Sequence, residues 1–149
     1  MPQKLLDDPR VAVPAAAAVL LECDVDSSAL AALRGELSRH GAGNGLTGVA
    51  LTHFVLAVNE IVTNAVRYAG GHGRVCLSRH ADELWCVVTD DGPGIPRRCL
   101  DPSARRGPDQ IGGQGIWLAQ RICVRVHIET GRARGTRVVL RFALRGGTA

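Results

Sequence analysis

The amino-acid sequence predicts an α+β fold, a two-layer α/β sandwich with a mixed, mostly antiparallel sheet and helices on one face. Three observations point there. Leu51, Val55, Val58, Val62, Ala65 and Ala69 recur at helical spacing, and Phe54, Ile61 and Val66 widen the apolar stripe. Residues 74–80 alternate apolar Val75 and Leu77 with polar neighbours, and a buried run over 84–89 follows a short turn, which reads as an antiparallel hairpin. Two more alternating segments close the chain. The resulting order, β-α-α-β-β-α-β-β, suits a sheet covered on one side.

Taken in order, residues 1–14 read as a flexible tail and 15–145 as a single domain. Small and branched residues from Ala15 to Cys23, bounded by Pro14 and Asp24, predict the first strand. Asp26 or Ser27 caps a helix carrying Leu30, Leu33 and Leu37, which ends near Gly41 and Gly43. Thr47 is a cap for the long second helix, and Gly70, Gly71 and Gly73 end it. After the hairpin, Asp90-Asp91-Gly92-Pro93-Gly94-Ile95-Pro96 is a turn that cannot continue a strand. Residues 96–112, with Arg97, Arg98, Arg105 and Arg106, form a long polar loop, of a length usually reserved for a functional lid or a disordered segment. Gly112 to Gly115 opens a third helix with Ile116, Leu118, Ala119 and Ile122. Val124, Val126 and Ile128, then Val138, Leu140 and Phe142, mark the last two strands around a turn at Gly131 to Gly135.

Composition narrows the function. With 149 residues, 46% hydrophobic and 21% charged, the chain has the make-up of one soluble globular domain. Eighteen basic against fourteen acidic side chains leave +4, an excess that suits a nucleotide or an acidic partner. No basic run interleaved with aromatics is present, so direct nucleic-acid binding is not expected. Cys23, Cys76, Cys86, Cys99 and Cys123 are an odd set without a Cys-x-x-Cys pair, which argues against a disulfide framework or a zinc site and for a reducing cytoplasm. The apolar run over 11–21 follows Asp7 and Asp8, contains Pro14 and runs into Glu22. It is neither a signal-peptide core nor a membrane span.

Three clusters carry chemistry. On the long helix Glu60, Thr63, Asn64 and Arg67 share the polar face, and Glu60 and Asn64 lie four apart, one turn from each other. A carboxylate beside an amide oxygen suits a hard cation such as Mg²⁺, or a proton acceptor next to one, although the pair taken alone more often marks an ordinary solvated polar face. Asp90 at a strand end is placed to accept from an exocyclic amine, and Gly92 and Gly94 let a ring approach the backbone. Taken singly, Asp-Asp-Gly-Pro-Gly is an ordinary turn. The amides around Gly113 and Gly115 open a helix, where dipole and free N–H groups favour phosphate, and the arginine-bearing loop between the clusters could fold over a polyphosphate.

Taken together, these residues resemble the GHKL superfamily, the ATP-binding (Bergerat-type) fold of gyrase, heat-shock chaperones, histidine kinases and mismatch-repair ATPases. Glu60-Ile-Val-Thr-Asn64-Ala65 is similar to its N box, Asp90-Asp-Gly92-Pro-Gly94 to its G1 box, and Gly113-Gln-Gly115-Ile116-Trp-Leu118 to its G2 box. Gly135-Thr136 matches the Gly-Thr that completes the adenine pocket. Within the superfamily the sequence resembles the small bacterial anti-sigma-factor serine/threonine kinases. Most histidine kinases carry Asn where Glu60 stands, and a carboxylate there suits a general base for a hydroxyl. His40 and His53 read as surface or helix-packing residues.

The resemblance implies ATP and Mg²⁺ as cofactors and a role for each residue. Asn64 would ligate Mg²⁺ through its amide oxygen, and Glu60 would take the proton of an incoming serine or threonine. Asp90 would select adenine with Thr136 in support. Gly92 and Gly94 would let the base approach, Gly113 and Gly115 would hold phosphates, and Ile95 and Ile116 would join the nucleotide-binding residues. Arg105 or Arg106 would neutralise the γ-phosphate. The implied partners are an anti-anti-sigma (STAS-type) protein and a sigma factor, a homodimer is left open, and no membrane or nucleic acid is implied. Two other readings stay open: an ATP-gated binding module with little turnover, and an ATPase in which Glu60 activates water.

Overall fold

The structure is a computed structural model and describes residues 12–68, 71–92, 121, 125–131 and 135–144. The chain enters the sheet after a turn in which Ala17 N–H donates to the Pro14 carbonyl at 2.9 Å. Strand β1, Ala18–Asp26, therefore begins later and ends later than residues 15–23 would have it. The reason is alternation: Cys23 and Val25 face the core, whereas Glu22 and Asp24 face away and meet Arg74 of the neighbouring strand at 2.9 and 3.0 Å. A charged residue on the outward face does not end a strand when a cross-strand partner receives it.

Asp26 then starts the helical region. Its carboxylate accepts from Ser28 N–H at 2.9 Å and Ala29 N–H at 3.1 Å, capping a 3₁₀ turn at Ser27–Ala29 that leads into helix α1, Leu30–Gly43. These bonds, led by that from the Ser28 hydroxyl, hold the Asp26 carboxyl below the usual range. Helix α2, Gly48–Tyr68, follows after a short connection. Strands β2 (His72–His80) and β3 (Glu83–Asp90) form the expected hairpin, with Ala81 at φ 53° in its turn. Strands β4 (Arg125–Gly131) and β5 (Gly135–Ala143) complete the sheet. The expected third helix and the loop over 96–112 lie outside the described residues, apart from Arg121, which is helical.

The five strands lie in the order β1-β2-β3-β5-β4, and all four pairings are antiparallel. Among the described residues the sheet is thus antiparallel throughout rather than mixed. Both described helices cover one face. α2 is long and apolar enough by length and composition to cross a membrane, but it turns its apolar side onto the sheet. Phe54, Ala57, Val58, Ile61, Val62, Ala65 and Val66 are buried there against Val75, Leu77, Cys86, Val88, Val138 and Leu140. Phe54 meets Phe142 edge to face, with ring centroids 4.9 Å apart. The far face carries a smaller cluster of Trp85, Val87 and Val139, with Val13 packed on it. Arg141 lies 4.5 Å over the Trp85 ring and pairs with Glu83 at 2.7 Å.

Candidate functional site

The registers bring several candidate residues to one end of the sheet. β3 leaves the core at Asp90, whose partner across the ladder is Thr136, the second residue of β5. On the other side of β3, Thr89 pairs with Arg74, next to Gly73. The C-terminal half of α2 lies over this end. A Cβ on Gly73 would stand 3.2 Å from the Ala65 methyl and 3.3 Å from the Thr89 carbonyl oxygen. A glycine at this position lets the turn of α2 that carries Asn64 come down onto the strands beside Asp90.

Asp90 is half-buried, and its surroundings pull its carboxyl in two directions. Burial raises its pKa most strongly, the backbone N–H groups of Gly92 and Thr136 lower it, and the neighbouring Asp91 charge raises it again, leaving it above the usual value. The Gly92 N–H donates to Asp90 Oδ1 at 2.9 Å, which folds the chain back immediately after the strand. Thr136 is buried alongside it. A partly desolvated carboxylate flanked by a hydroxyl is suited to accept from an amine that also leaves bulk water.

Gly135 holds this corner together. Its φ is +71°, and a Cβ there would overlap the Asp90 carbonyl oxygen and come within 2.8 Å of the Asp91 Cα. Only a residue without a side chain allows β5 to begin directly against the end of β3.

On α2, Glu60 and Asn64 are both partly buried, and Thr63 between them likewise. Asn64 Oδ1 is shielded from solvent, whereas Arg67 at the helix end is exposed. Among the described residues no group of three or more His, Cys, Asp or Glu side chains is placed to hold a metal ion alone. Among the described residues, the amide oxygen of Asn64 would serve a cation together with oxygens of a ligand, the pattern Mg²⁺ adopts with phosphates. The donor set fits that arrangement. Gly94, Ile95, Arg105, Arg106, Gly113, Gly115 and Ile116 lie outside the described residues. His53 is exposed, and His40 sits beside Glu36 at 3.7 Å, so neither joins the site.

The corner yields a test by glycine replacement. Gly135→Ala should lose about 2–5 kcal/mol of stability, the sum of a left-handed alanine and a backbone overlap. Gly35→Ala is the control, because a Cβ there meets nothing within 4 Å and alanine favours the helix. Denaturant unfolding of both variants checks this. A Gly135→Ala protein as stable as wild type would show that β3 and β5 do not meet as closely as described.

Comparison with known proteins places this geometry. The family model described as a histidine kinase-like ATPase domain matches residues 23–142, from within β1 to the end of β5. No curated protein sequence matches the chain. Among solved structures, the histidine kinase domain of the blue-light activated histidine kinase from Erythrobacter litoralis is similar at 24% identity and a TM-score of 0.50, covering 77% of this chain and 61% of that one. A longer structure of the same kinase matches at 25% identity and a TM-score of 0.50, covering 77% of this chain and 42% of that one. This chain thus spans less than two thirds of each. The mycobacterial sensor histidine kinase MprB matches at 17% identity and a TM-score of 0.51, covering 83% of this chain and 97% of that one. These likenesses speak for the fold. Because the family model matches residues 23–142, well over half of the chain, the chain belongs to the histidine kinase-like ATPase domain family.

Proposed function

We propose that this protein is an ATP-dependent serine/threonine kinase of the anti-sigma-factor type, which phosphorylates an anti-anti-sigma (STAS-type) partner in the cytoplasm and sequesters a sigma factor. The observation that carries this reading is Glu60. It stands one helical turn before Asn64 on α2, in a partly solvated position. The family match supports ATP as the nucleotide. Serine/threonine specificity and both partners rest on the sequence resemblance.

In this reading each residue has one task. Asp90 accepts the adenine amine, with Thr136 beside it. Asn64 would hold Mg²⁺ through its amide oxygen, and the ion would supply charge neutralisation at the phosphate oxygens. Glu60 accepts the proton of the serine or threonine hydroxyl. The hydroxyl oxygen forms its bond to the γ-phosphorus as the bond to the β–γ bridging oxygen breaks, and ADP leaves with that electron pair.

Asp90→Asn separates the site from the fold. The pKa of Asp90 is raised in the folded state, so its contribution to stability is present at low pH and is lost as pH rises through that raised value. At neutral pH the ionised carboxylate is a cost to the apoprotein, and the variant should melt no lower than wild type. ATP affinity should fall roughly ten- to a hundredfold, the worth of a charge-assisted hydrogen bond of about 1.5–3 kcal/mol. Wild-type affinity should itself decline as pH is lowered through the Asp90 pKa. Calorimetric titration with ATP reads both effects, and an unchanged affinity removes the adenine role.

Glu60→Gln keeps the shape and removes the basicity. Mg²⁺-ATP should bind within a few-fold of wild type while phosphoryl transfer drops about 10²–10⁴-fold. Asn64→Ala should instead lose the Mg²⁺ dependence of nucleotide binding. Labelled ATP with STAS-type proteins from the same genome measures transfer. A wild-type protein that binds ATP but transfers phosphate to none of them is an ATP-gated binding module.

A further inference from the structure

The outward face of α2 extends well beyond Glu60. Successive helical residues turn by about 100°, so Val49, His53, Leu56, Glu60 and Arg67 fall within roughly 40° of one line along the helix. Val49 and Leu56 are 69% and 41% exposed, and they are two of the three large apolar side chains left exposed among the described residues. The third, Val19, lies on β1. α2 buries seven apolar residues on its other side, so these two are not the overflow of a helix without a core.

We infer that Val49, His53 and Leu56 form the docking surface for the protein whose hydroxyl Glu60 deprotonates. This deepens the kinase reading and rests on it. Leu56 lies one turn, about 6 Å along the axis, from Glu60, and Val49 about 16 Å. A protein seated on the stripe therefore reaches the base without leaving the helix. The occupant presents a short apolar segment beside its acceptor serine or threonine: the segment covers Leu56 and Val49, and the hydroxyl comes to rest at Glu60.

Continuity with the base decides between occupants. A second copy of this chain seated firmly on Leu56 would cover Glu60 one turn away and shut out any acceptor. A transient protein substrate is subject to no such conflict. Two exposed apolar side chains and a histidine also suit a contact that must release its product, since a large apolar patch would hold it.

The test uses the full chain with STAS-type proteins from the same genome as probes. Val49→Asp and Leu56→Asp place charge at exposed positions outside the nucleotide site, and Val19→Asp is the matched control on β1. For a probe that is phosphorylated, both stripe variants should raise KM at least tenfold, leave kcat and Mg²⁺-ATP affinity within about twofold, and differ from the control. Wild-type KM in both stripe variants overturns the docking surface while leaving the kinase intact. Where a probe binds without being phosphorylated, the kinase reading falls, and Kd in place of KM tests the surface by the same comparison. If no probe binds, or if the stripe variants change only the oligomeric state in sedimentation, the inference is wrong.

Discussion

The contact between α2 and the sheet at Ala65 and Gly73 is the constraint on which the site depends. The Ala65 methyl would stand 3.2 Å from a Cβ on Gly73, and the Thr89 carbonyl oxygen 3.3 Å from it on the strand side, both tight contacts. A side chain there would ask the Ala65 methyl or the Thr89 carbonyl to give by a few tenths of an ångström, one residue along α2 from Asn64 and one along β3 from Asp90. The packing on either side is ordinary core burial, with Val62, Val66, Val75 and Val88 all nearly or fully buried. Close packing transmits position, so a displacement of a few tenths of an ångström at Gly73 moves the polar face as well as the apolar one.

The same end of the sheet carries a local cost. Asp90 sits where burial disfavours its charge, and only two backbone N–H groups offset that. A sheet built for stability alone would end in a neutral residue, or would leave the carboxylate in water. Asp90 is instead confined by Gly92 on its own strand end and by Gly135 across the ladder, both of which bring backbone close to it. A carboxylate with part of its hydration already removed loses less when a ligand takes the remaining water's place. The cost and the readiness to bind have one origin.

Much of this is legible in the sequence, for physical reasons that differ from element to element. α2 and the hairpin are readable because burial on one face imposes a period of 3.6 or 2 on residue choice. β1 is misread at both ends. Ala15 is strand-compatible by composition but belongs to a turn, and Asp24 looks like a terminator until Arg74 is known to sit across from it. Ala57 is absent from the expected stripe although it is fully buried, because alanine leaves little trace in a hydrophobic pattern. The outward stripe is invisible for the opposite reason. Val49 and Leu56 are apolar, and nothing local distinguishes an apolar residue that packs from one that waits for a partner. Gly135 is readable only through the family likeness, since its need for glycine comes from Asp90, far away in sequence and adjacent in the ladder.

The two faces of α2 answer to different physical constraints. Residues such as Phe54, Val58 and Val62 point into the core and answer to packing, so their replacement costs stability. Val49, His53 and Leu56 are exposed, and substitutions there leave the buried face undisturbed. Glu60 and Asn64 stand between these regimes: the core sets their backbone positions, while their side chains are only partly buried. A helix divided in this way fixes its position by its inner face and leaves the residues of its outer face free to vary. That division accommodates a shared fold among chains as dissimilar as 17% identity, each free to present a different surface on the same scaffold.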